Sequence, residues 1–588
     1  MSNPSRRRRG SVGGCSSLPS APDVRIWSAD DERWRRASLV AALATVGLLL
    51  VFFHHRFWWP PDEGVFAHVA ESLLDGKVLN RDVLEDHPGA IHFVHAAALG
   101  AFGRDLVSLR YPLALVSLAL AAMIFRMTLP GGALAAFACS VGAIALGLLQ
   151  FLNPQTHWYC LAIAAGIALL STARSAGREL ALGVLLGMCL QFRQLTAVFV
   201  AGAVLIWCLE GDENRARGAD GLVARLVLGI SSLGFAAYVG LQRPGLGLLL
   251  LGLWPPLLLA VAALRGGCPN RRTFAVLGRL SLGGLASLLP LMSYHAATRS
   301  VGAWIDDTLF SALSVARLDY LDDVTFLDWL WPAAVHLVSA TEPAARLNGL
   351  FWILCLSAAP VLGAVATWRS WRGERLPALT LTAVFYGLVS LFNQIPLYLA
   401  YSLPLTCAAL VVSLRHRVHR RLASAVLLGM SAIAIWYQAA QPASRGLEGI
   451  VGGQRVPWLP SGIERASLWI DDGSRTTYGA LLREIARRSA AGESIFALPN
   501  DAELYFLANR RNPMPFHNTA IDVHGDEAAR RVAAALAQEP PRLVIDAPRD
   551  KYQTPESRAI LSAIRPLYSA PLRIGSFDLY VRLVDGEP

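Results

Sequence analysis

Residues 57–93 read FWWPPDEGVFAHVAESLLDGKVLNRDVLEDHPGAIHF. They follow directly on an apolar run. They hold Asp62, Glu63, Glu71, Asp75, Asp82, Glu85, Asp86 and His87. So much ionisable chemistry at the edge of an apolar segment fits a loop at a membrane surface, and the rest of the chain supports that reading. The chain has 588 residues, 54% hydrophobic and 16% charged, with mean hydropathy +0.42. A soluble domain carries about 25% charged residues. Repeated apolar runs predict a polytopic α-helical membrane protein. No cleavable signal peptide is evident, because no small-residue site follows the first run; it reads as an uncleaved first span.

Working outward from this loop, about thirteen spans are expected, near 38–53, 108–126, 131–150, 158–172, 180–192, 195–210, 222–241, 245–264, 274–293, 347–366, 376–392, 395–413 and 421–437. Residues 89–103, with His92 and His95, are too short to span and read as an interfacial helix. Arg residues set the orientation. Arg6 to Arg9, Arg215, Arg217, Arg271, Arg272, Arg369, Arg372, Arg415, Arg417, Arg420 and Arg421 fall on the side that holds the N-terminus, which is therefore cytoplasmic. The expected organisation is a basic cytoplasmic tail, 1–37; a transmembrane domain, 38–437, with a first outer loop at 54–107; and an outer-face domain, 438–588.

The net charge of +10 invites a nucleic-acid reading. The distribution opposes it, since the Arg residues sit in short loops between spans. The eight Cys form no CxxC pair, which argues against a disulfide framework or a Cys-based metal site. Residues 438–588 carry 18 basic and 18 acidic residues, as a soluble domain does. There SIFALP, RLVIDAP and FDLYVRLV predict strands, and DEAARRVAAALAQ predicts a helix, so the domain reads as small and α/β.

Within the first outer loop, DEGVFAHVAESLLDG has helical spacing, with Val65, Val69, Leu73 and Leu74 as an apolar face lying on the bilayer. Asp62 and Glu63 follow Pro60-Pro61 at its start, where acidic residues cap and stabilise a helix. One carboxylate can cap while the other faces a cavity. Arg193-Gln194 interrupts an apolar run, either as a functional pair or as a short outer turn. Asp306, Asp307 and Arg299 follow the ninth span and read mainly as solvated loop charges, with Arg299 also weighed as a substrate contact. The Trp residues are mostly interfacial belt residues.

Pro-Asp-Glu-Gly after the first span, a helix ending in Leu-Leu-Asp-Gly, then RDVLEDHPG, an interfacial helix ending in AFG, and Arg110 at the next span resemble the GT-C glycosyltransferases. The likeness is narrower to the branch containing protein O-mannosyltransferases and the lipid A aminoarabinose transferase. It covers roughly 38–210 by motif, and IFALPNDAELYFLANRRNP at 495–513 resembles a segment of the bacterial members' outer domain. The resemblance implies transfer of a sugar from a polyprenyl-phosphate-linked donor to a lipid, glycan or protein acceptor on the outer face, with inversion, in a bacterial plasma membrane. It matches Asp62 to the catalytic acidic residue of the first loop, a general base, with Glu63 as second candidate. It implies donor-phosphate contacts from His87, Arg193, Gln194 and Arg110, and leaves Asp86, Asn153 and His157 as possible substrate contacts. Many relatives carry a second acidic residue between spans three and four. Here QFLNPQTHWYC has none, so a metal-independent mechanism is expected, or one with His157 as a polar substitute; no cofactor is expected.

Three other readings compete. A polymerase or ligase of surface polysaccharide shares lipid-linked substrates, but concentrates its basic residues in a large late loop. A secondary transporter wants acidic residues inside its spans, which are nearly free of them here. A membrane anchor needs only one span.

Overall fold

The computed structural model describes residues 29–173, 175–210, 218–242, 245–311, 325–440, 458–550 and 552–583. The tail with Arg6 to Arg9, the Arg215–Arg217 loop, residues 312–324 and the 441–457 stretch of the expected C-terminal domain lie outside the described residues.

The apolar runs form helices: α1 (Ala29–Phe53), then α2 (Pro60–Leu74) and α3 (Ala90–Phe102) in the first loop. Next come α4 (Arg110–Thr128), α5 (Ala133–Ala145), α6 (Thr156–Ser171), α7 (Arg178–Phe192) and α8 (Gln194–Leu209). The bundle continues with α9 (Leu222–Gly240), α10 (Trp254–Arg265), α11 (Asn270–Ala297), α12 (Phe326–Ser339) and α13 (Pro343–Trp371). It closes with α14 (Ala378–Tyr386), α15 (Pro396–Ser413) and α16 (Arg417–Ala440). The α12 helix falls in a segment for which the apolar pattern predicts only loop.

Among the described residues, eight helical stretches are long and apolar enough to cross a membrane: Glu32–Phe53, Leu106–Gly131, Ala133–Gln150, Ala219–Gly240, Leu248–Arg265, Asn270–Ala297, Ala345–Trp371 and Arg417–Trp436. The protein is thus a multi-pass helical membrane protein. The other expected spans are shorter helices. α6, α7 and α8 have 16, 15 and 16 residues, about 22–24 Å at 1.5 Å per residue, against a hydrocarbon core of roughly 30 Å. The α5–α6 turn beside them is buried from Phe151 to Pro154, so its polar groups need partners inside the protein. Glycines let α7 lie closely on α11: a side chain at Gly183 or Gly187 would strike the backbone of Leu280 or Gly284.

Polar contacts sort the loops into two ends. Arg265 binds Glu210 and the carbonyls of Gly373 and Glu374, while Arg415 reaches Glu374. The loops after α8, α10, α13 and α15 therefore meet. At the other end Gln194 donates to the carbonyls of Asp86 and Thr308, and the Tyr386 hydroxyl to that of His157. This second end carries α2.

The C-terminal region packs onto that same end. It starts with the short antiparallel pair β1 (Leu459–Pro460) and β2 (Trp469–Ile470), followed by α17 (Asp472–Arg488). Then β3 (Ile495–Leu498), α18 (Glu503–Ala508), α19 (Gly525–Gln538), β4 (Leu543–Asp546), α20 (Pro555–Ile564), β5 (Leu572–Ile574) and β6 (Phe577–Val581) complete it. The sheet order is β3-β4-β6-β5, with β3 and β4 parallel and the remaining pairs antiparallel. Each strand and helix expected there is present. Trp469 exchanges backbone bonds with His55 and Phe57, Leu84 donates to the Pro515 carbonyl, and Arg465 binds Glu71.

Two expectations about α2 are corrected. Val69 is buried against Leu79 and Val83 of the following loop, with Phe93 and Tyr294 alongside, so the face carrying it packs on protein and not on lipid. Neither Asp62 nor Glu63 caps the helix, whose N-cap is Trp59 with no side-chain bond. Both lie in the first turn, where the helix dipole still favours them.

Candidate functional site

Pro60 and Pro61 occupy the first positions of α2, where the missing N–H groups cost nothing. The next three residues point to three different parts of the molecule. Asp62 faces the α5–α6 turn: its Oδ2 accepts from Asn153 Nδ2 at 3.2 Å and closely from Gln155 Nε2. Glu63 faces α4: its Oε1 accepts from Arg110 Nη2 at 2.5 Å, and both side chains are buried. Gly64 faces the C-terminal domain: a side chain there would come within 2.4 Å of the Glu503 Cβ.

Arg110 is committed to the fold. Its Nη1 donates to the carbonyls of His54 and Arg56 and its Nη2 to that of Phe57, at 2.7–2.8 Å, besides Glu63. It fastens the α1–α2 connector and presents no free pair of N–H groups. Burial pushes Glu63 up to about 7, against the opposing pull of Arg110.

Around Asp62 lies a wall of polar and aromatic groups. The His157 ring stacks on Tyr401 at 4.1 Å and meets Tyr398 edge-on at 5.1 Å. Neither His157 nitrogen has a hydrogen-bond partner in the protein, nor do Asn153 Oδ1, Tyr159 Oη and Thr196 Oγ1, all of them buried. Tyr398 stands between opposite charges, within the fields of both Arg193 and Asp62. Arg193 and His87 both act on His157. Asp62, Arg193 and His87 therefore lie in one electrostatic neighbourhood around the packed Tyr398 and His157 rings.

The loop before α3 supplies a second group of charges. His87 Nδ1 lies 2.6 Å from Glu85 Oε1 and 2.9 Å from Asp86 Oδ1, and His92 Nε2 lies 3.3 Å from Glu85 Oε2. Burial opposes charge on His87, but Asp86 and Glu85 raise it to about 10, so it is an imidazolium at neutral pH. Despite burial, His92 and His87 hold Glu85 well below the usual carboxylate range. Glu85, Asp86 and His87 each present a ligand atom within 4.8 Å of the others, a spacing a divalent cation could bridge; here the imidazole bridges the two carboxylates. Asn80 Nδ2 donates to the Glu85 carbonyl at 2.8 Å and to Asp307 Oδ2 at 2.9 Å. Burial raises Asp307 to about 6.

Of the residues singled out in the sequence, the structure brings together Asp62, Asn153, His157, Arg193, Gln194, Asp86 and His87. Glu63 and Arg110 sit behind them as a buried pair, and Arg299 is exposed. Asp307, read as a solvated charge, is half-buried beside Asn80. Sequence reasoning gave no role to Gln155, Glu85, Tyr398 or Tyr401. The two tyrosines had a signal, since a spacing of three puts them on one face of an apolar helix.

No protein-family model matches the chain, and no curated protein does. Among solved structures, the chain is similar to ArnT from Cupriavidus metallidurans bound to undecaprenyl phosphate, at 14% identity over 94% of this chain and 98% of that one, with TM-score 0.38. It is likewise similar to the apo state of that protein, at 13% identity over 94% and 99% of the two chains and TM-score 0.39. A third is the Archaeoglobus fulgidus oligosaccharyltransferase tethered with an acceptor peptide, at 12% identity over 95% of this chain and 75% of that one, with TM-score 0.39. At these identities and TM-scores the likeness assigns no role to any residue.

Proposed function

We propose that this chain is a membrane glycosyltransferase that moves a sugar from a polyprenyl-phosphate-linked donor to an acceptor on the outer face, with inversion. The observation that carries this reading is the Asp62 carboxylate, clamped by two amides in the same electrostatic neighbourhood as Arg193 and His87. Together they offer a base and positive charge, the two groups that displacement of a phosphate requires.

In this mechanism Arg193 and the His87 imidazolium take the donor phosphate, His87 through Nε2, since Nδ1 is held by Glu85 and Asp86. Gln194 holds the loop that carries His87. The acceptor O–H gives its proton to Asp62, and its oxygen bonds to the anomeric carbon from the side opposite the phosphate. The carbon–oxygen bond to the phosphate breaks, and the polyprenyl phosphate leaves with the electron pair. Asn153 and His157 line the sugar's position with unpartnered polar atoms, and Tyr398 stands beside them. Arg110 and Glu63 are positioning residues in this reading, because their charges already satisfy each other. No step requires a metal.

We read residues 438–588 as an outer-face domain and the membrane as a bacterial plasma membrane. The Arg distribution and the contact between this domain and the first loop support one shared outer face. Glycan and lipid profiling of a deletion strain tests the function. A glycan-bearing species should disappear, and the wild-type chain but not Asp62→Asn should restore it. An unchanged profile would refute the reading.

A further inference from the structure

The C-terminal domain touches α2 directly behind Asp62, at backbone distance. A Cβ at Gly64 would lie 2.4 Å from the Glu503 Cβ, 2.5 Å from its nitrogen and 2.6 Å from its Cα. Only glycine fits there, so α2 and α18 are seated on each other with no side chain between them. Glu503 is fully buried at that contact, and its Oε1 accepts from the Tyr478 hydroxyl at 2.8 Å. The Tyr478 ring rests on Trp58, with centroids 4.5 Å apart, two residues before α2 begins. One carboxyl group thus joins α17 and α18 to the segment that leads into Asp62. The remaining links, Arg465 to Glu71 and Trp469 to His55 and Phe57, tie the same domain to the far turn of α2 and to its connector.

We propose that Glu503 is a positioning residue for Asp62, through which the C-terminal domain seats the first turn of α2. This rests on the function proposed above. Asp62, Glu63 and Gly64 anchor the first turn of α2 to the α5–α6 turn, to α4 and to α18 respectively. Two anchors leave a helix end free to rotate about the line between them, and a third removes that rotation. The third anchor here comes from a domain more than 400 residues further along the chain. A displacement of about 1 Å at a catalytic group can cost on the order of a hundredfold in rate.

The test uses the full chain expressed in the deletion strain, at matched protein level. It measures three quantities: yield of the species lost on deletion, affinity of the purified protein for undecaprenyl phosphate, and melting temperature. Gly64→Ala should lower the yield at least about tenfold while affinity stays within about twofold. Glu503→Ala and Tyr478→Phe should lower it as well. Glu503→Gln, which keeps an acceptor for Tyr478, should retain most of it. A purely structural contact would lower the melting temperature and leave yield per folded molecule unchanged. That result, or wild-type yield from Gly64→Ala, overturns the proposal. If Gly64→Ala does not fold, the contrast between Glu503→Gln and Glu503→Ala decides. Asp62→Asn in the same strain separates the two failures. If Asp62→Asn abolishes the product and the Gly64 and Glu503 variants do not, only the positioning role falls. If Asp62→Asn makes product, the base assignment falls and the positioning role with it.

Discussion

Two pairs of acidic residues meet where α2 packs on α18, and they are held in opposite ways. Asp62 and Glu63 both receive strong donors, two amides on one and a guanidinium on the other. Asp501 and Glu503 lie together, with the Tyr478 hydroxyl donating to Glu503 and further carboxylates at Asp546 and Asp550 nearby. Burial raises Asp501 well above the usual carboxylate range and Glu503 to about 7. The same residue types at two touching helix starts thus serve different ends. Arg110 opposes the effect of burial on Glu63, whereas the carboxylates around Asp501 add to it.

The largest effect expected from this contrast is at Asp62. Asp62→Asn keeps the shape and can still sit in the first turn of α2, but it cannot take a proton. Product yield should fall about 10²–10⁴-fold, with undecaprenyl phosphate affinity and melting temperature near wild type. Glu63 should behave in the reverse manner. Glu63→Ala leaves Arg110 charged and buried without its carboxylate, which typically costs ~3–5 kcal/mol. A large drop in melting temperature is expected, with activity per folded molecule affected less than by Asp62→Asn. Loss of activity without loss of stability at Glu63 would exchange the two roles.

An intermediate effect is expected at the clamp. Gln155→Ala removes the closest donor to Asp62 and leaves Asn153 in place. A loosened base should cost on the order of tenfold in product yield, measured in the deletion strain at matched protein level. Wild-type yield would show that Gln155 is not needed to hold the carboxylate.

How far these pairs were legible in the sequence follows from what each signal requires. The helices were readable because apolar runs are local, and the strands at 495–498 and 543–546 because each is a short buried run flanked by turn residues. Asp62 stood out through the resemblance carried by Pro-Asp-Glu-Gly after the first span, although a helix cap explained the same carboxylate. Its amide clamp did not, because Gln155 adds no charge and its partner lies 93 residues away. Asp307 was misread for the same reason: its partner Asn80 is 227 residues distant, so only the fold removes it from solvent. Arg110 matched a basic position of the resemblance, yet its head is spent on three carbonyls and Glu63. No spacing rule predicts that pairing, since it depends on how α1 hands over to α2. The Gly64–Glu503 contact was invisible because glycine carries no side-chain signal, and its meaning lies wholly in what approaches it.

The smallest expected effect tests the donor-poor pair by pH. Glu503 has a folded value near 7, above the 4.5 of an ordinary glutamate. A raised carboxyl group binds its proton more tightly in the folded state than in the unfolded one. Its contribution is therefore fully present below the unfolded value and is lost as pH rises through the folded value, so the window lies between about 4.5 and 7. Asp501 shifts in the same direction and adds to the same slope. The melting temperature of the purified chain should fall across this window, and Glu503→Gln, which cannot ionise, should remove part of the fall. The difference between wild type and Glu503→Gln should be a few degrees at pH 8 and close to zero at pH 4.5, since roughly 1 kcal/mol moves the melting point of a mid-sized domain by about 2–4 °C. Equal slopes in the two proteins would mean that Glu503 is ionised in the folded state, held by a partner that the Tyr478 hydroxyl alone does not supply. The contrast between the two acidic pairs would then disappear.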